Sequence, residues 1–255
     1  MRKIWIIKAG SQMVCDGGPV LILSWMKQIQ ILRSRFQIDV IWVTSGAIAS
    51  ATERTNFSGK NRTVAQKQAL SAIGQPLVMD LYNLALNRVG LLGAQVLLTG
   101  GDIKDKVRRK NLQNTLGQLL KWQSVPILNE NDAVATEEIQ FGDNDSLSAQ
   151  IAIMMGAQKL ILLTDVQGLY DSDPKENQGA RLIEVKEKIS NLDLKKFRTS
   201  KKSEKGTGGI YSKLLAAQQA QKAKVATHLV RGDVHNVLLQ IAENVNVGTF
   251  IGKQK

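Results

Sequence analysis

Lys3-Ile4-Trp5-Ile6-Ile7-Lys8-Ala9-Gly10-Ser11 is an apolar run that stops on a glycine turn. Near-continuous apolar residues over that length predict a strand buried on both faces, not one with a wet side. Outward from it, the same pattern recurs at residues 39–44 before Ser45-Gly46, and at 93–99. It returns at 125–128 before Asn129-Glu130-Asn131-Asp132, and at 159–163 before Thr164-Asp165. Residues 225–230 and 248–251 read as late strands. Between the strands, helical spacing covers residues 20–36, 64–88, 109–122, 146–155, 210–223 and 234–242, with Pro76 marking a break or kink. Strands alternating with helices need crossover connections, so the fold class is α/β with a mostly parallel sheet covered on both faces. Ligands of such sheets sit beyond the carboxyl ends of the strands. The polar clusters at Lys8–Ser11, Thr44–Gly46, Asn129–Asp132 and Thr164-Asp165 are therefore expected to meet in one crevice.

A chain of 255 residues, 43% of them hydrophobic, holds one large domain or two tightly joined lobes, with a core that needs no staples. The single Cys15 excludes an internal disulfide framework and a four-cysteine zinc site, and His228 with His235 cannot make a three-histidine site. The first apolar run is too short for a signal segment, and no later run has the length of a membrane span. The expectation is a cytoplasmic protein in a reducing compartment. Net charge is +12, from 34 basic and 22 acidic residues. The basic clusters at 104–110 and 195–205 lack the interleaved aromatics of a single-strand platform, so solvated surface is the reading and nucleic acid is not expected. The charge also suits small anionic substrates.

Several motifs carry chemistry, each beside a plainer reading. Lys8 at a strand end next to Gly10 suits a phosphate, or is a surface lysine before an ordinary turn. Gly206-Thr207-Gly208-Gly209-Ile210-Tyr211-Ser212-Lys213 leads a polar loop into a helix whose first N–H groups and Lys213 suit a terminal phosphate. Its glycine-to-lysine spacing is not that of a P-loop, and a hinge with an N-cap is the alternative. Gly142-Asp143-Asn144-Asp145 either caps a helix or orients lysines and Mg2+-bound phosphate, and the two roles are compatible. Asp132 suits a charged amino group and Asn129 further polar atoms, against a simple polar turn. The loop 163–171 suits a base or ribose, and the irregular stretch 171–206 reads as a lid or a plain connection.

Taken together these segments resemble the amino acid kinase family, and within it the glutamate 5-kinases. The carriers are Lys8-Ala9-Gly10-Ser11, Val43-Thr44-Ser45-Gly46-Ala47-Ile48-Ala49, Ile73-Gly74-Gln75, Asn129 through Thr136, Phe141-Gly142-Asp143-Asn144-Asp145, Leu163-Thr164-Asp165-Val166 and Gly206-Thr207-Gly208-Gly209 with Lys213. The resemblance implies a three-layer α/β/α sandwich forming a single kinase domain over 1–255. Glutamate would lie in a lobe of about 1–155 and ATP in one of about 156–255, without the C-terminal PUA domain that many members carry. It implies that Lys8 and Lys213 contact the transferring phosphates and that Asp145 holds them. Ser45, Gly46, Asn129, Asp132, Asp143 and Asn144 would form the glutamate site. Lys8, Gly10, Ser11, Thr164, Asp165, Thr207, Gly208, Gly209, Ile210, Tyr211, Ser212 and Lys213 would line the ATP site. Mg2+ would accompany ATP, with no metal ligands of the protein's own. Glutamyl 5-phosphate for proline synthesis, feedback inhibition by proline, and a homodimer or homotetramer complete the implication. Gln12 and Tyr211 depart from the family pattern. They keep a non-catalytic ligand-binding regulator of the same fold in view, beside another amino acid kinase as the runner-up enzyme.

Overall fold

A computed structural model describes residues 2–55, 57, 62–135, 144–174, 176–197 and 209–253. In chain order its elements are β1 (Lys3–Ala9), α1 (Ser11–Phe36), β2 (Ile38–Val43), α2 (Ala47–Thr55), α3 (Val64–Arg88), β3 (Gly93–Leu98), α4 (Gly100–Lys104), α5 (Lys106–Lys121) and β4 (Val125–Glu130). They continue with α6 (Asn144–Met155), β5 (Lys159–Thr164), β6 (Val185–Lys186), α7 (Asn191–Phe197), α8 (Ile210–Lys222), β7 (Ala226–Arg231), α9 (Val237–Ala242) and β8 (Thr249–Ile251).

The strands form one eight-stranded sheet in the order β3-β4-β2-β1-β5-β7-β8-β6. Every pairing is parallel except β7 with β8, as the mostly parallel expectation requires. After β1 the chain winds out through β2, β3 and β4, then crosses back to lay β5 on the other side of β1. That reversal makes the carboxyl end of β1 a switch point, where the flanking connections part and leave a crevice.

Alternation along β1 sorts the two cores. Trp5, Ile7 and Ala9 face the layer of α1, α3 and α9, whereas Ile6 faces the layer of α6 and α8. Trp25, Trp42 and Tyr82 pack as tilted rings in the first layer, with centroids 5.2 and 6.0 Å apart. Trp25 Nε1 donates to the Gly232 carbonyl at 2.8 Å and Trp42 Nε1 to Tyr82 Oη at 2.9 Å, with Thr44 Oγ1 3.0 Å from the same Oη. Helix α3 begins at a capping box in which Thr63 and Gln66 satisfy each other's backbone N–H groups, a device that stabilises a helix start by about 1 kcal/mol.

Three sequence expectations change. Pro76 does not break α3, which runs unbroken through it. Pro76 and Ala72, whose carbonyl the missing N–H leaves without its helical partner, are both exposed to solvent. Helix α1 starts at Ser11 and not near residue 20, and it passes a break where Gly18 adopts φ 52° before Pro19. The elements α2, α4, α7 and β6 were not anticipated. Helix α2 has small residues in place of an apolar stripe, and it is held by contact with α3 at Gly74, where an added Cβ would lie 1.8 Å from the Ala47 carbonyl oxygen. Residues 104–110 are exposed, in keeping with a solvated basic face. No helix among the described residues is long and apolar enough to cross a membrane.

Candidate active site

Lys8 shares the parity of Ile6, so it points from the carboxyl end of β1 toward α6 and α8. Helix α6 presents Asp145 in its first turn, and α8 presents Ser212 and Lys213 in its own first turn. The three charged groups converge. Lys8 Nζ lies 2.7 Å from Asp145 Oδ1, and Lys213 Nζ lies 3.1 Å from Oδ2. Ser212 Oγ donates to Oδ2 at 2.8 Å, with the Gly209 carbonyl as a second acceptor at 2.9 Å. Asp145 is fully buried, and Lys8 and Lys213 are 4% and 8% exposed. Burial alone would raise the Asp145 carboxyl. The Lys213 and Lys8 charges, with hydrogen bonds from Lys8 and Ser212, more than offset it and hold the group well below the usual carboxylate range.

Among the described residues, two ammonium groups face this one carboxylate in a place water scarcely reaches, an arrangement that attracts anions. Gly10 leaves the space next to it open, since an added Cβ would lie 3.7 Å from Lys8 Nζ. Ser11 then starts α1. The β1–β5 register pairs Ala9 with Leu163, which sets Thr164 beside the Gly10 turn. There the Thr164 hydroxyl donates to Asp165 at 3.0 Å.

A polar network adjoins this cluster through Asn144, the residue before Asp145. Asn144 Nδ2 donates its two hydrogens to the Thr44 carbonyl and Asn129 Oδ1, both at 2.7 Å, and lies 2.8 Å from Ser45 Oγ. Gly46 turns the chain from Ser45 into α2 at φ +101°, with Cys15 Sγ only 3.3 Å from where a Cβ would stand, so glycine alone fits both demands. Asp132 accepts from Ser71 Oγ at 3.2 Å, and burial pushes its carboxyl up against that hydrogen bond. A cavity of about 370 Å³ lies alongside, lined by Ser11, Gln12, Cys15, Ala49, Thr52, Glu53 and Arg62.

Seven of the predicted residues are joined by direct contacts. Lys8, Asp145, Ser212 and Lys213 form the cationic centre, and Ser45, Asn129 and Asn144 form the network beside it. Ser212, expected to line a nucleotide, gives its hydroxyl to Asp145, and Ile210 packs into the apolar layer. Tyr211 is half-buried at the start of α8. Asp143, Thr207 and Gly208 lie outside the described residues. Ser71 and Gln75 were missed as site residues. Their signal was polarity at i, i+4 on the buried face of a helix, flanking Gly74.

The sequence profile of the amino acid kinase family matches residues 3–231. The chain belongs to the amino acid kinase family. Its curated relatives include Glutamate 5-kinase of Thermoanaerobacter sp. (strain X514), 43% identical over 248 residues, which are 96% of this chain and 66% of the relative. Glutamate 5-kinase of Haemophilus influenzae (strain PittGG) is 38% identical over 99% of this chain and 70% of its own length. The chain therefore spans about two thirds of the length of these curated relatives. Among solved structures, the T. acidophilum isopentenyl phosphate kinase product complex superposes with a TM-score of 0.67 at 16% identity, covering 98% of this chain and all of the other. At that identity the likeness speaks for the amino acid kinase fold alone.

Proposed function

We propose that this chain transfers the terminal phosphoryl group of ATP to the side-chain carboxylate of L-glutamate, giving glutamyl 5-phosphate, the first step of proline synthesis, in the cytoplasm. The observation that carries the reading is the meeting of Lys8 and Lys213 on one buried carboxylate, Asp145, with the polar network of Asn144 directly attached. The names of the curated relatives support the choice of acceptor.

The chemistry asks little of proton transfer. A glutamate side chain is ionised at neutral pH, so its oxygen attacks the γ-phosphorus without a general base. A new carboxyl O–P bond forms as the bond to the β-phosphate oxygen breaks, and ADP leaves with that electron pair. What the site must supply is alignment of two anions and neutralisation of the negative charge on the transferring group. Lys8 and Lys213, held on the two oxygens of Asp145, would flank the transferring group. Gly10, Ser11, Thr164, Asp165 and the residues from Gly209 to Lys213 would hold the nucleotide. Ser45, Gly46, Asn129, Asp132 and Asn144 would hold glutamate. Asp132, raised by burial and accepting from Ser71, would gain most from an incoming ammonium. Both oxygens of Asp145 are engaged by lysines, and among the described residues no three His, Cys, Asp or Glu side chains gather into a metal cage. Mg2+ accompanying ATP, as the resemblance implies, would supply Lewis acidity to the transferring phosphoryl group. The same resemblance carries the division into a glutamate lobe and an ATP lobe, proline as feedback inhibitor, and a homodimer or homotetramer.

The test is ATP-dependent acyl phosphate formation trapped with hydroxylamine, with glutamate set against aspartate, N-acetylglutamate and carbamate. Glutamate should dominate; equal or greater turnover of another acceptor rejects the reading. Lys8→Ala and Lys213→Ala should each lower turnover by roughly 100-fold or more while the circular dichroism spectrum is kept. Binding of glutamate and ATP without turnover would favour the regulator instead.

A further inference from the structure

The amides flanking Asn144 have a direction that backbone atoms dictate. The Glu130 N–H can only donate, and it meets Asn129 at 3.0 Å, so the atom there is Asn129 Oδ1. Asn129 Nδ2 then points to Gln75 Oε1 at 3.1 Å. Gln75 Nε2 is left facing the Glu130 carbonyl, which can only accept, also at 3.1 Å. At the other end the Thr44 carbonyl and Asn129 Oδ1 both demand a donor, so the atom they meet is Asn144 Nδ2. Three backbone groups thus remove the twofold ambiguity that a side-chain amide carries. The consequence appears at the last atom of the chain. Asn144 Oδ1 is buried and has no hydrogen-bond partner among the described residues. A buried acceptor left in that state is a place for a ligand's donor.

We propose that Gln75 is a positioning residue for substrate choice. It holds the Asn129–Asn144 amide chain in this polarity, so that Asn144 Oδ1 favours a substrate with a hydrogen-bond donor, the α-ammonium of an amino acid, over the same diacid without the amine. The inference rests on the glutamate kinase reading above and adds to it the basis of discrimination. Gln75 is 7% exposed on α3, one turn after Ser71, whose hydroxyl orients Asp132. One buried face of α3 therefore steadies two acceptors, a carboxylate and an amide oxygen. Gln75 touches no reacting atom itself.

The experiment measures L-glutamate kinetics by hydroxamate formation, and inhibition by glutarate, which has the same carbon chain without the amine. Wild type, Gln75→Leu and Gln75→Glu are compared. In Gln75→Leu the KM for glutamate should rise about tenfold, with kcat and the KM for ATP within about twofold and the glutarate inhibition constant unchanged. Gln75→Glu keeps the side chain's volume, which guards against a Leu variant that fails to fold. Its buried carboxyl, when protonated, reproduces the amide's donor and acceptor; when ionised, it cannot donate to the Glu130 carbonyl. Its KM for glutamate, taken relative to wild type at each pH so that the titration of Asp132 cancels, should therefore sit near one at low pH and climb with pH. A role in packing alone would lower kcat, weaken glutamate and glutarate alike and show no such slope, and that result overturns the proposal. If wild type makes no hydroxamate from glutamate, the kinase reading fails separately. The amide chain is then judged by NMR: side-chain amide protons of Asn129 and Asn144 should exchange slowly in wild type and quickly in Gln75→Leu, and unchanged exchange refutes it.

Discussion

Asp145→Asn tests the reasoning behind the cationic centre most directly, because it removes one charge and almost no volume. At an effective dielectric of about 20, opposite charges 2.7 and 3.1 Å apart attract by roughly 6 and 5 kcal/mol. Desolvation of three buried groups offsets much of this, so the net loss expected is that of breaking a buried pair, about 3–5 kcal/mol. For a chain of this size that is a fall in melting temperature of roughly 10 °C. The two ammonium groups then share a buried space with no carboxylate between them, so added phosphate should recover more stability in the variant than in wild type. Turnover should fall by about 100-fold or more, since nothing aims the lysines. Calorimetric melts with and without phosphate, and the coupled ADP assay, measure both effects. A Lys8→Met/Asp145→Asn double variant should be less impaired in stability than the sum of its parts, because the charge left unpaired by one change is removed by the other. A melting temperature within about 2 °C of wild type, with near-normal turnover, would show that the contact carries neither stability nor alignment.

Burial pushes His228 down to about 3, with the nearby Lys159 charge adding to it. The folded state therefore refuses a proton that the unfolded chain accepts near 6.5. The stability this refusal provides is complete above about 6.5 and is lost as pH falls, at about 1.4 kcal/mol per pH unit. His228→Leu should flatten the fall between pH 6.5 and 5, as read from urea midpoints; an unchanged slope would refute the assignment. Gly74→Ala should cost about 3 kcal/mol or more, since its Cβ would meet the Ala47 carbonyl oxygen at 1.8 Å and push α2 off α3. Chemical denaturation checks the loss, and near-native stability would mean that the two helices separate easily.

The sequence by itself determined the alternation of strands and helices and the places where polar clusters end the strands. It did so because buried parallel strands must be apolar throughout, as Trp5 to Ala9 and Val40 to Val43 are. Lys8, Asp145 and Lys213 could be named as candidates, but they stand far apart in the chain, and no local rule states that three side chains meet. Only the reversal of winding at β1, the parity that turns Lys8 toward α6, and the packing of α8 on α6 bring them to one point. The short α2, with no apolar stripe, also came from tertiary contact, through the missing side chain of Gly74. The direction of the amides from Gln75 to Asn144 is likewise a property of the fold, because it is dictated by the carbonyl and N–H groups of strand ends that adjoin one another only once the sheet has formed.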